Sequence, residues 1–228
     1  MKKFKNRFVT PSLLNIESEK RLEVANTLVN NGIKWIHYDI MDGQFVPNTA
    51  ITPEEIIEID TKGLPHFKDA HLMVNDPVPY IEQLRDNVDI FTVHFEALDD
   101  NAQEEFLDFL QKTEFNIGMA IKPTTKVSEI KKFLPYLKLV LVMSVEPGKG
   151  GQKFIPESID KIKQLSEYRF TKGFPYLIQV DGGINDKTGP ECFKAGADAC
   201  VAGTFLVFEP TKEKINSIFG IKPKKSKQ

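Results

Sequence analysis

The chain has 228 residues, with 41% apolar and 27% charged side chains, which is the composition of one ordinary globular core. Its formal net charge of −2 provides no field for gathering nucleic acid, and no apolar run approaches membrane-spanning length. The basic start, Met1 to Arg7, leads into no apolar signal-peptide core, and Cys192 and Cys200 lack C-x-x-C spacing. A cytoplasmic protein with unpaired thiols is expected, with neither a nucleic acid nor a membrane as partner.

In chain order, β-type runs fall at 7–10, 34–40, 67–73, 90–95, 116–121, 139–144, 176–181 and 199–202. Helical apolar spacing fills the gaps, at 17–30, 53–60, 77–85, 102–112, 127–134, 159–169, 187–194 and 212–218. Two of these carry clear end signals. Gly32 closes the first helix, and Thr52-Pro53-Glu54-Glu55 opens the second with proline at its first position and acidic residues at the positive end of the dipole. Eight alternating units imply a parallel sheet with right-handed crossovers, closed as a (β/α)8 TIM barrel or left open as a doubly wound sheet. Glycines, prolines and charges gather just after strand ends, as in a barrel with its site on the C-terminal face. One domain, residues 1–220, and a basic, disordered tail, 221–228, are expected.

The second strand, Trp35-Ile36-His37-Tyr38-Asp39-Ile40-Met41, puts His37, Asp39 and Met41 on one face, since strand side chains alternate. A buried imidazole and carboxylate need a partner, which a mutual hydrogen bond or a divalent metal would supply. Asp69, His71 and Met73 repeat the pattern on the third strand, and Asp181 ends the seventh. In a closed barrel His37, Asp39, His71 and Asp181 converge near the upper rim, a donor set suited to one divalent ion: Zn²⁺, Fe²⁺, Mn²⁺ or Co²⁺. His94 and Glu96 also share a face and read as a hydrogen-bonded pair beside that set.

Three glycine-bearing segments follow the late strands: Gly148-Lys149-Gly150-Gly151, Gly182-Gly183 and Gly203-Thr204. Glycine lets backbone N–H groups approach an anion, and loops after the last strands commonly cradle phosphate in this fold. Lys149 would add a charge there. Met41, Met73 and Met143 end strands, and besides filling the core they would give a soft apolar floor beneath a planar intermediate.

Pro11-Ser12-Leu13-Leu14, the run His37 to Asn48, Asp69 to Met73, Val142 to Phe154 and Val180 to Ile184 together resemble the ribulose-phosphate 3-epimerase family, from Ser12 to Gly203 in order. The resemblance implies a ribulose-phosphate-binding barrel that interconverts D-ribulose 5-phosphate and D-xylulose 5-phosphate in the pentose phosphate pathway, acting on a small sugar phosphate as a homo-oligomer. It implies metal ligation by His37, Asp39, His71 and Asp181, with Asp39 and Asp181 as the two proton carriers around an enediolate. It also implies sugar contacts from Ser12 and His71, and phosphate contacts from Gly148 to Gly151, Gly182, Gly183, Gly203 and Thr204. Two positions depart from the family pattern: Lys149 stands where phenylalanine is usual, and Phe205 where a small residue follows Gly-Ser.

D-allulose 6-phosphate is the alternative substrate, although Asp181-Gly182-Gly183 and His94-Phe95-Glu96-Ala97 look more like the pentose enzyme. Barrel decarboxylases carry Asp-x-Lys-x-x-Asp on a strand, and Asp69-Ala70-His71-Leu72-Met73-Val74, with no lysine in the motif, argues against that activity. A non-catalytic binder would have no need of opposed aspartates.

Overall fold

The computed structural model describes residues 7–221. Apart from Ile221, the basic tail expected at 221–228 lies outside the described residues. Eight strands form one parallel sheet: β1 (Phe8–Pro11), β2 (Trp35–Met41), β3 (Phe67–Met73), β4 (Ile90–His94), β5 (Ile117–Ile121), β6 (Leu139–Met143), β7 (Leu177–Asp181) and β8 (Ala199–Ala202). From β2 to β8 each pairs with the next in sequence, and β8 pairs in turn with β1. A parallel bridge between Ser12 and His37 joins β1 to β2, so the sheet curls into a nearly closed (β/α)8 barrel rather than the open alternative.

The helices are α1 (Arg21–Asn30), α2 (Pro53–Lys62), α3 (Val78–Gln83), α4 (Asp100–Lys112), α5 (Ser158–Lys172), α6 (Thr188–Ala195) and α7 (Lys212–Ile218). The start of α2 is a capping box: the Glu55 N–H donates to the Thr52 hydroxyl, and the Glu55 carboxylate accepts from the Thr52 N–H at 2.8 Å. The expected helix at 127–134 is instead one 3-10 turn, Val127–Ile130, followed by turns. Its apolar spacing is real, because Val127, Ile130, Phe133 and Leu134 are all buried. Pro135 ends it: proline lacks the N–H that would continue the helix and disfavours helical backbone at Leu134.

Two apolar regions divide the interior. One lies between sheet and helices, where Ile36, Tyr38, Ile40, Ala70 and Leu72 point outward from β2 and β3. The other fills the barrel from its N-terminal end, where Trp35 packs with Ile90, Leu139 and Ala199, and the Phe8 ring lies tilted with its centre 5.4 Å from that of Trp35. Above this plug the inward positions turn polar, with His37, Asp39, His71, Thr92, His94 and Gln179 buried. Polar groups buried at that depth must satisfy one another or a ligand. No helix among the described residues is long and apolar enough to cross a membrane.

Candidate metal centre and active-site cavity

The register of β2 against β3 pairs His37 with Asp69 and Asp39 with His71, which sets two imidazoles and two carboxylates in a square on neighbouring strands. The His37 Nδ1 hydrogen bonds to Asp69 Oδ2 at 2.7 Å, leaving its Nε2 facing His71 Nδ1 at 3.3 Å. His71 Nδ1 lies 3.1 Å from Asp39 Oδ1, and Asp181 Oδ2 arrives from β7 at 4.0 Å from His37 Nε2 and 3.9 Å from His71 Nδ1. Ligand atoms of all four residues lie within 4.8 Å of one another, and the group could hold a metal ion. Bonds of about 2.0–2.2 Å in tetrahedral geometry place ligand atoms about 3.3–3.6 Å apart, close to these separations. Two imidazoles with their other nitrogens bonded elsewhere, beside two carboxylates, match the donor chemistry of a divalent cation.

The two aspartates differ in proton affinity. Burial alone would raise the Asp39 carboxyl, but His37 and His71 outweigh it and hold the group well below the usual carboxylate range. Asp181 is pushed up to about 6, first by burial and then by the Asp39 carboxylate. Ser12 follows β1 and donates its hydroxyl to Asp39 Oδ2 at 2.5 Å.

A cavity of about 500 Å³ opens above the cluster. Asp39 and Asp181 line it, whereas His37 and His71 are fully buried beneath. The same cavity is lined by Ser12, the three methionines Met41, Met73 and Met143, and the glycine segments with Lys149 and Thr204, whereas His94 and Glu96 lie outside it. Met41 and Met73 pack with Val46, and Met143 belongs to the plug inside the barrel, so all three are also core residues.

Local geometry explains the glycines. Gly182 and Gly183 have φ of 119° and 62°, and a Cβ on them would come within 2.5 Å of Val145 and 2.4 Å of the Phe154 nitrogen. Ser144 fastens this crossing of the two loops, its hydroxyl lying within donating distance of the Asp181 and Gly182 carbonyls. The motif running on from β2 ends there too: the Asn48 side-chain amide donates to the Gly148 carbonyl at 2.6 Å. Lys149 is exposed at the rim, and its carbonyl accepts from the Gln152 amide. Phe205 lines the wall, with the Lys214 ammonium 5.9 Å from its ring centre.

Several contributors were not assigned roles in the sequence reading. Asp69, fully buried, accepts from Gln179 Nε2 at 2.8 Å and from the Trp35 indole at 3.3 Å besides bonding His37. Its signal was its parity with His71, as Gln179 shares parity with Asp181. Asn15 lines the cavity against the Gly150 backbone and carried no signal beyond its place after Ser12. The pairing of His94 with Glu96 is present, at 3.0 Å, and His94 Nε2 also lies 2.9 Å from His71 Nε2.

Comparison with known proteins gives this arrangement its context. The chain is 37% identical to ribulose-phosphate 3-epimerase of Schizosaccharomyces pombe over 213 residues, covering 92% of this chain and 90% of the relative. It is 35% identical to the enzyme of that name from Synechocystis sp., covering 90% of each chain, and 37% identical to a cytoplasmic isoform from Oryza sativa subsp. japonica, covering 87% and 86%. Among solved structures, 3-hexulose-6-phosphate synthase superposes with a TM-score of 0.67 at 14% identity, covering 95% of this chain and all of the other, a likeness of fold. Residues 8–207 match the model of the ribulose-phosphate 3 epimerase family; the chain belongs to that family and is an isomerase.

Proposed function

We propose that this protein interconverts D-ribulose 5-phosphate and D-xylulose 5-phosphate, in the cytoplasm and within the pentose phosphate pathway, by proton transfer between two aspartates. The observation that carries the reading is the pair of carboxylates facing one cavity with opposite proton affinities. Inversion at C3, beside the C2 ketone, needs one group to take a proton from one face and another to return a proton to the opposite face. Asp39 on β2 and Asp181 on β7 come from well-separated strands and suit those opposed roles.

In one direction Asp39, held ionised by its imidazole neighbours, takes the C3 proton, leaving an enediolate. Asp181 then gives its proton to C3 from the other side. The reverse reaction exchanges their parts. Ser12 holds Asp39 Oδ2 before substrate arrives. Redirection of that hydrogen bond to the sugar frees the oxygen as a base. His37, Asp39, His71 and Asp181 would hold one divalent ion, which when bound supplies positive charge to the ketone and enediolate oxygens. Met41, Met73 and Met143 exclude water beneath the flat intermediate, and the glycine segments take the phosphate.

The five-carbon sugar phosphate is favoured over D-allulose 6-phosphate by Asp181-Gly182-Gly183 and His94-Phe95-Glu96-Ala97, while Phe205 narrows the wall beside the phosphate segments. A homo-oligomer is the assembly implied by the family resemblance. The test is a coupled epimerase assay on D-ribulose 5-phosphate before and after stripping of metal. Conversion that depends on metal supports the reading, and conversion unaffected by rigorous removal contradicts it.

A further inference from the structure

The metal reading requires His71 to present an unprotonated Nδ1, yet nothing within its own ring enforces that tautomer. The enforcing groups lie on the side away from the cavity. Glu96 Oε1 accepts from the backbone N–H of Lys122 at 2.7 Å and bonds the Thr125 hydroxyl. A backbone N–H can only donate, so Glu96 is an acceptor there, and as a carboxylate it is an acceptor at Oε2 as well. His94 Nδ1, 3.0 Å from Oε2, therefore carries the hydrogen. Neutral His94 is left with a lone pair on Nε2, 2.9 Å from His71 Nε2, and His71 must donate across that contact. Its Nδ1 is then bare, on the side of Asp39 and His37.

The path is held rigidly. Both rings are fully buried and lie 5.0 Å apart, and Phe45 covers His94 with its centre at 4.7 Å. The Lys161 ammonium donates to the carbonyls of Lys122, Pro123 and Thr125, fixing the loop that presents its N–H to Glu96.

We propose that Glu96 and His94 are positioning residues that order the hydrogens of this path and so make His71 an Nδ1 metal ligand, an inference that rests on the metal reading above. Asp69 does the same for His37 in a single step. Glu96→Gln is the informative substitution, because it keeps the shape and reverses the donor. An amide that keeps its oxygen toward the Lys122 N–H turns its NH₂ toward His94, which drives a hydrogen onto His71 Nδ1.

The experiment measures Zn²⁺ affinity of wild type and Glu96→Gln by competition with a chromophoric chelator. It also records ¹⁵N-edited imidazole spectra of metal-free wild type. The expected results are a dissociation constant raised about 10–100-fold in the variant and, before metal is added, hydrogen on Nδ1 of His94 and on Nε2 of His71. Unchanged affinity in a folded variant overturns the proposal, as does a wild-type spectrum with the opposite tautomer. Should Glu96→Gln fail to fold, the wild-type spectrum decides alone. A wild type that binds no zinc, iron, manganese or cobalt overturns the metal reading and this proposal together, whereas zinc binding equal in both proteins overturns only the latter.

Discussion

Asp39 and Asp181 share one cluster at the cavity floor, yet their surroundings push their proton affinities apart, Asp39 well down and Asp181 up to about 6. Separation of this kind lets two chemically identical groups act as base and acid at one pH. Replacing either with asparagine keeps the shape and removes the proton carrier. Asp39→Asn and Asp181→Asn are each expected to lower kcat by about 10²–10⁴-fold or more, read in a coupled epimerase assay on folded protein. Near-normal turnover in either variant would remove that residue from the proton path.

The raised Asp181 also sets a pH dependence for metal binding. A ligating oxygen must be free of its proton, so protons compete with the metal for Asp181 below about 6, and a proton carried during turnover would sit on its other oxygen. Affinity is expected to fall by about a further tenfold per unit once pH drops through that value, as displacement of one more proton demands. This comes on top of the proton that His37 gives up to the metal, its ring held, despite burial, well above its usual value by Asp69 and Asp39. Chelator competition between pH 5 and 8 measures it. A profile without that steepening would contradict the assignment of Asp181 as a ligand.

The same shift has a stability consequence in metal-free protein. A carboxyl held above its unfolded value of 3.8 stabilises the fold fully below that value, and the contribution is lost as pH rises through about 6. At pH 7.5, metal-free Asp181→Asn should therefore melt above metal-free wild type, by calorimetry. With metal added the order should reverse, since only wild type keeps the ligand.

Met73 is fully packed, and exchange for leucine costs a core little, typically under about 1.5 kcal/mol. Met73→Leu should fold normally and lose turnover, if a soft surface beneath the intermediate matters. Unchanged kcat in the folded variant would reduce the methionines to core filler.

Much of the site was legible because strand parity is a local property. His37 with Asp39, and Asp69 with His71, declare a shared face from the sequence alone, and Asp181 ends its strand beside glycines. What a side chain bonds depends on register between strands, which no single segment contains. That is why Asp69 was placed on the right face without its role under His37, and why Gln179, which reaches it from β7, was not assigned. The fold was legible for the same reason up to its closure: eight alternating periods imply a parallel sheet, and the pairing of β8 with β1 and the Ser12–His37 bridge close it. The fifth crossover differed because Pro135 acts on the backbone while the apolar spacing before it stays helical.

Proton exchange at C3 by the protein's own acid and base is read out in deuterated solvent. D-Ribulose 5-phosphate is incubated with the metal-loaded protein in D₂O, and the product is followed by ¹H NMR. The account predicts D-xylulose 5-phosphate carrying deuterium at C3, with no exchange at C4 or C5. Failure to convert D-ribulose 5-phosphate, or formation of xylulose 5-phosphate that retains the original C3 hydrogen, would contradict it.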